Sequence, residues 1–88
     1  MTYRLFFEER ALKELAKIDK PFRLRIKEKL LALAADYERF KGSLKRLKGK
    51  DFGEYERLRV GDYRVIFRRE AERLIIVVVR IGHRKEVY

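Results

Sequence analysis

The chain has 88 residues and a formal net charge of +10 at pH 7, from 24 Lys and Arg against 14 Asp and Glu. That length suits a single domain over residues 1–88 with one modest core, because a chain this short buries only about 60% of the surface its unfolded form exposes. With no cysteine and one histidine, a disulfide framework, a thiolate zinc site, a Cys nucleophile and a His-cluster metal site are all excluded.

The start, Met1-Thr2-Tyr3-Arg4, lacks the apolar stretch of a signal peptide, and the longest apolar run, Leu74 to Val79, is far too short to span a bilayer. The expectation is a cytoplasmic protein with no membrane association and an anionic partner, nucleic acid being the commonest anionic polymer. The charge is also uneven. Residues 1–40 carry a net +3 and residues 70–88 a net +1, whereas residues 41–69 hold 10 basic against 4 acidic side chains, a net +6. Concentration of this kind favours a binding face over a uniformly solvated surface.

Residues 3–7 read as a short strand. Glu8-Glu9 open a helical pattern, acidic where the helix dipole favours anions, with Ala11, Leu12, Leu15 and Ile18 as its apolar stripe. Pro21 suits the first turn of a second helix, with Asp19 as its cap and Phe22, Ile26, Leu30, Leu33 and Tyr37 as its buried stripe. Together they predict an αα-hairpin. Gly42 ends the helical region, and residues 43–53 read as a basic loop carrying Lys45, Arg46, Lys48 and Lys50. From Tyr55 the period becomes two, predicting strands at about 54–60, 63–69 and 73–81. The β-branched run from Leu74 to Val79 predicts an interior strand covered on both faces. The predicted class is α+β: an N-terminal strand, a two-helix hairpin, then a three-stranded antiparallel meander with the helices on one sheet face.

The hairpin is the most informative stretch. Gly61-Asp62 between alternating strands predicts a two-residue type II′ turn, which sets Val60 opposite Tyr63, Arg59 opposite Arg64, Leu58 opposite Val65 and Arg57 opposite Ile66. Directly paired residues share a face. Leu58, Val60, Tyr63, Val65 and Phe67 therefore face the core, while Arg57, Arg59, Arg64 and Arg68 line the other side around Ile66. Arg59 against Arg64 is a like-charge pair, unfavourable in isolation, and a fold carries such a cost where it binds an anion. The arginine fork suits phosphate. The bland reading is a solvated face paired with Glu54 or Glu56. Lys45, Arg46, Lys48 and Lys50 likewise read either as an ordinary soluble loop or as a grip on a nucleic-acid backbone. In the tail, His83 is the one side chain that titrates near neutrality unperturbed, and Tyr88 ends the chain.

Leu58-Arg59-Val60-Gly61-Asp62-Tyr63-Arg64-Val65-Ile66-Phe67, followed by Val79-Arg80-Ile81-Gly82-His83-Arg84-Lys85-Glu86-Val87-Tyr88, closely resembles the RelE family of toxin–antitoxin toxins, within the RelE/ParE superfamily. The start Thr2-Tyr3-Arg4-Leu5, the Arg10 to Leu15 helix and Leu47-Lys48-Gly49 resemble it too, so the likeness spans the chain. The hairpin motif is common to the whole superfamily. The Gly-His-Arg-x-x-Val-Tyr tail is more diagnostic of its RNA-cleaving branch.

The resemblance implies a ribosome-dependent endoribonuclease that cuts mRNA in the ribosomal A site without a metal or other cofactor and is held inactive by an acidic RelB-like antitoxin that wraps it. It also implies roles for individual residues. Arg64 and Arg84 match arginines that stabilise the scissile phosphate, and Arg57 matches a Lys or Arg position. Tyr88 matches a tyrosine that stacks on the substrate base, and His83 stands where members carry Lys or His. Tyr55 departs from one branch, which has a second basic residue there, so the general base is left open among His83, Tyr88 and a lysine such as Lys48. Arg59 and Arg68, with the four basic loop residues, are the expected contacts to RNA and ribosome. Two other readings stand beside this one: a ParE-like inhibitor of DNA gyrase with the same fold, and a non-catalytic RNA- or ribosome-binding protein.

Overall fold

A computed structural model describes residues 2–47 and 55–85. In chain order these form β1 (Arg4–Phe7), α1 (Glu9–Ala16), α2 (Lys20–Ala35), α3 (Tyr37–Phe40), a 3-10 turn (Lys41–Ser43), β2 (Lys45–Leu47), β3 (Tyr55–Val60), β4 (Tyr63–Glu70) and β5 (Ile75–His83). The strands make one sheet in the order β1-β5-β4-β3-β2, with β1 parallel to β5 and the other pairs antiparallel. The class is α+β as expected. The arrangement is richer by one strand, because Lys45–Leu47 pairs with Tyr55–Arg57 where a loop was expected.

The hairpin has the predicted register, from Arg57 opposite Ile66 to Val60 opposite Tyr63. Gly61 adopts φ +57 and Asp62 does not share a positive φ, as a type II′ turn requires. Alternation then sorts the hairpin. Leu58, Val60, Val65 and Phe67 join Ile76, Val78 and Ile81 in a core closed by Leu15, Ile26, Leu30 and Leu33 of the helices. On the opposite face Ile75, Val77 and Val79 form a smaller apolar cluster with Tyr55 and Ile66. β5 is thus interior, bonded on both sides, and its β-branched run is buried on both faces. A bulge between Ile66 and Phe67 shifts the β4–β5 register.

The helices depart from expectation in three places. Asp36, at φ −149 and ψ 76, breaks α2, so Tyr37 starts a separate short helix, although it remains buried. Asp19 occupies the N-cap of α2, but its side chain makes no capping bond. Leu12 and Phe22, assigned to buried stripes, are exposed, at 50% and 43%. Only the face of each helix turned toward the sheet is covered, and residues at the stripe's border stay in water.

Where β1 stops at Phe7, α1 takes over the edge of β5. The Glu14 carboxylate accepts a hydrogen bond from the Ile81 backbone N–H at 2.9 Å and another from Arg80 Nε at 3.1 Å. A buried strand edge must have its N–H groups paired, and here a side chain does so.

Candidate functional site

The sequence-predicted arginines sit at the hairpin end of the sheet. Arg59 on β3, Arg64 on β4 and Gly82 on β5 form one cross-strand row on the face away from the helices. Arg57 lies two residues along β3 on the same face, and Arg68 lies further along β4. Arg84 follows β5, and its backbone N–H donates to Asp62 O at 2.8 Å, which fastens the start of the tail to the hairpin turn. The fold therefore draws Arg59, Arg64 and Arg84 together although the outer two are 25 positions apart in sequence.

These arginines differ in what holds them. Arg64 is only 8% exposed, and its Nη1 donates to the carbonyls of Gly61 at 3.1 Å and Tyr63 at 3.0 Å. It thus braces the turn from which it projects. Arg59 is exposed and makes no ion pair among the described residues. Arg68 is paired with Glu70, Nη1 to Oε2 at 2.9 Å. The expected alternative partner for the arginine face, Glu56, is on the other side of the sheet, and Glu54 lies outside the described residues. Lys45 and Arg46 fall on β2, an edge strand, with both side chains exposed. Lys48, Lys50 and Tyr88 lie outside the described residues.

His83 is not on the arginine face. It pairs directly with Tyr63, its ring 5.9 Å from the Tyr63 ring in an edge-on arrangement, and Tyr63 in turn meets Phe22 of α2 at 5.6 Å. His83 Nδ1 accepts from the Lys85 N–H at 3.3 Å. In a neutral imidazole that leaves the proton on Nε2.

A second polar cluster was missed from the sequence. Glu56 and Arg69 fall on the core-facing positions of β3 and β4, diagonal to one another beside Phe67. Tyr37 donates its hydroxyl to Glu56 Oε2 at 2.7 Å, and Arg69 Nη1 donates to the Tyr3 hydroxyl at 3.1 Å. The Arg69 guanidinium lies 4.2 Å from the centre of the Tyr37 ring, and its Nε, buried without a hydrogen bond, forms an ion pair with Glu56 Oε1 at 3.5 Å. Burial, reinforced by the Glu56 acceptor, pushes the Tyr37 phenol up to about 12. Burial alone would lower Arg69, but its bonds and charge contacts with Tyr3 and Tyr37 outweigh that and raise it. The signal was available: two opposite charges at core-facing strand positions demand partners.

Among the described residues no three His, Cys, Asp or Glu side chains gather as a metal site. The chemistry on offer is fixed positive charge on the open face of the sheet and aromatic rings on the helix side of the same hairpin end, which suits a phosphodiester polymer.

Comparisons with known proteins bear on the family and the fold. A family model described as the ParE toxin of the type II toxin-antitoxin system, parDE, matches residues 5–88. The mRNA interferase toxin RelE of Escherichia coli strain K12 is 32% identical over 90 aligned positions, covering 100% of this chain and 92% of that protein. Among solved structures, the archaeal RelE–RelB complex from Pyrococcus horikoshii superimposes with TM-score 0.79 at 25% identity, covering 99% of this chain and 100% of that one. The intact Escherichia coli RelBE toxin–antitoxin complex gives 0.73 at 25% identity, covering 93% and 96%.

Proposed function

The chain belongs to the RelE family of toxins from type II toxin–antitoxin modules, and we propose that it is an endoribonuclease that cleaves mRNA in the ribosomal A site and so stops translation. The observation that carries this reading is the convergence of Arg59, Arg64 and Arg84 at one end of the sheet, next to Arg57. Its partner is a cognate acidic RelB-like antitoxin, as in the RelE–RelB complexes of its structural neighbours.

Cleavage without a metal requires the 2′-OH to lose its proton and attack the adjacent phosphorus. The 5′-oxygen then leaves with a proton, and the product ends in a 2′,3′-cyclic phosphate. Arg57, Arg64 and Arg84 answer the charge that builds on the phosphorane, where fixed donors act most strongly. Arg64 arrives already oriented by the turn carbonyls, so little reorganisation accompanies the reaction. His83 and Tyr88 are the side chains for proton transfer. His83, whose role is the one the family resemblance implies, is the last residue of β5 and faces the helix side, across the sheet from the arginine row. Because Nδ1 accepts from the Lys85 N–H, the neutral ring presents Nε2–H as a hydrogen-bond donor, and His83 takes up a proton only at Nδ1, once the Lys85 contact opens. Lys45, Arg46, Lys48, Lys50, Arg59 and Arg68 supply the sequence-independent hold on RNA and ribosome.

Primer extension on a reporter mRNA in a cell-free translation reaction tests this. Wild type is expected to give discrete cuts only when ribosomes are present. Arg84→Ala, whose side chain is exposed, and Arg64→Ala are expected to reduce them by roughly 100-fold or more. Intact mRNA with the wild type removes the reading. A second reading, inhibition of DNA gyrase, is favoured by the ParE description of the matching family model. It predicts loss of supercoiling activity in a gyrase assay and no cuts.

A further inference from the structure

Between α2 and the hairpin turn lies a hollow of about 300 Å³, walled by Phe22, Arg25, Gly61, Asp62, Tyr63 and His83. It is on the helix side, away from the arginine row. Phe22 occupies a position that the helix period assigns to the core, yet its ring is 43% exposed. It is held by Tyr63 alone among the described rings, and Tyr63 is held by His83. Three rings thus make an aromatic corner open to solvent.

The polar groups around that corner are of three kinds. Arg25 supplies a cation, while Asp62 supplies an acceptor and His83 a donor. A second hollow of about 430 Å³, walled by Lys29, Ser43, Leu58, Arg59 and Gly61, meets the first at Gly61. Arg25 and Lys29 are one helical turn apart on α2. The cations therefore continue from the aromatic corner, past the turn, to Arg59 on the outer face.

We propose that the aromatic corner seats one base of a single-stranded RNA, stacked on Phe22, and that Arg25 and Lys29 hold the neighbouring phosphates along the path to Arg59. The identity of the polymer rests on the endoribonuclease reading. The site itself rests on the rings and the cation track. At about 300 Å³ the hollow is at the small end of ligand pockets, so it takes one base, not a stack of several. A nucleotide has a base with a flat face for Phe22 and N–H groups for Asp62, and a phosphate for Arg25. An acidic peptide would bring a carboxylate to Asp62 in place of the base's N–H groups, and an aliphatic side chain would leave Asp62 unused.

The test uses the full chain and a short labelled single-stranded RNA of mixed sequence, with an abasic ribose-phosphate strand of equal length as comparison. Affinities are read by fluorescence anisotropy over a range of salt. Wild type is expected to bind the RNA more tightly than the abasic strand. Phe22→Ala is expected to weaken RNA binding roughly tenfold and to abolish that preference, while Phe22→Trp restores it. Lys29→Ala is expected to leave the preference intact and to flatten the log–log salt slope by about 0.7. Leu24→Ala, exposed on the same helix but outside the hollow, changes neither.

Equal binding of the two strands by wild type overturns the proposal, as does Phe22→Ala binding like wild type. If Phe22→Ala loses only the antitoxin, the corner belongs to a protein partner and the proposal likewise fails. Ribosomal mRNA cleavage measured in parallel keeps the two ideas apart. Cleavage by wild type with an indifferent Phe22→Ala sinks the base seat alone. A base preference without any cleavage sinks the endoribonuclease reading alone.

Discussion

Arg69 and Arg59 are both strand arginines of one β-hairpin, but their surroundings are opposite. Arg69 points under the helices, where Glu56, Tyr3 and Tyr37 surround its guanidinium. Arg59 points into solvent, directly across from another arginine. On the covered face a guanidinium must leave water, so it persists where a counter-charge and acceptors surround it. On the open face water solvates the charge, so the fold tolerates the Arg59–Arg64 repulsion and keeps the cation available to an anion. Carboxylate and aromatic partners therefore mark Arg69 as holding the structure and Arg59 as facing a ligand, while Arg64, 8% exposed and bonded to the turn carbonyls, braces the hairpin on the ligand side.

The largest effect that would break this contrast is at Arg69. Arg69→Ala leaves Glu56 enclosed without its counter-charge and removes the cation from the Tyr37 ring. A loss of about 3 kcal/mol is expected, read as a lower urea midpoint at unchanged slope. Combining it with Glu56→Gln should recover part of that loss, since the two residues are coupled. A neutral Arg69→Ala would show that the covered cluster holds nothing. Next comes Glu14→Ala, which strips the Ile81 N–H and the Arg80 guanidinium of their acceptor. About 2 kcal/mol is expected, with hydrogen exchange at Ile81 accelerating more than at Val65.

The hairpin was legible in the sequence because its information is local. Gly61-Asp62 defines the turn, and alternation then assigns every side chain to a face. β2 was not legible: Lys45-Arg46-Leu47 is three residues with no alternation, and it becomes a strand only because β3 offers an unpaired edge. The exposure of Leu12 and Phe22 was hidden for the same reason, since the width of a buried stripe is decided by the sheet beneath it. Of the candidate site, the arginine row followed from register alone. The location of His83 did not, because the length of β5 decides whether the residue belongs to a strand or a tail. Only once β5 runs to His83 does its pairing with Tyr63 place it toward the helices.

Tyr37 sharpens the contrast through pH. Its phenol is raised from 10.0 to about 12, first by burial and then by donation to Glu56. An acid with a raised folded value favours the protonated state, so its contribution is complete below pH 10 and disappears as pH climbs through 12. Tyr37→Phe should cost about 1 kcal/mol at pH 7. The stability difference between wild type and variant should stay level up to pH 10 and shrink above it. A difference that stays constant to pH 12 would mean that the hydroxyl is not held by Glu56.

The smallest expected stability effect is at Arg59, and it carries the other half of the comparison. Arg59→Ala removes one member of a like-charge cross-strand pair, so the hairpin should be unchanged or steadier by a few tenths of a kcal/mol. The same substitution should flatten the salt dependence of binding to single-stranded RNA by about 0.7 in log–log slope. Arg69→Ala, measured at a temperature where it remains folded, should leave that slope alone. The opposite signs are the point: Arg59, kept for a ligand, is neutral or costly to the fold, and Arg69, kept for the fold, is silent toward the ligand. If Arg59→Ala destabilises the protein while the salt slope holds, Arg59 is a structural residue and the open face loses its claim to the RNA backbone.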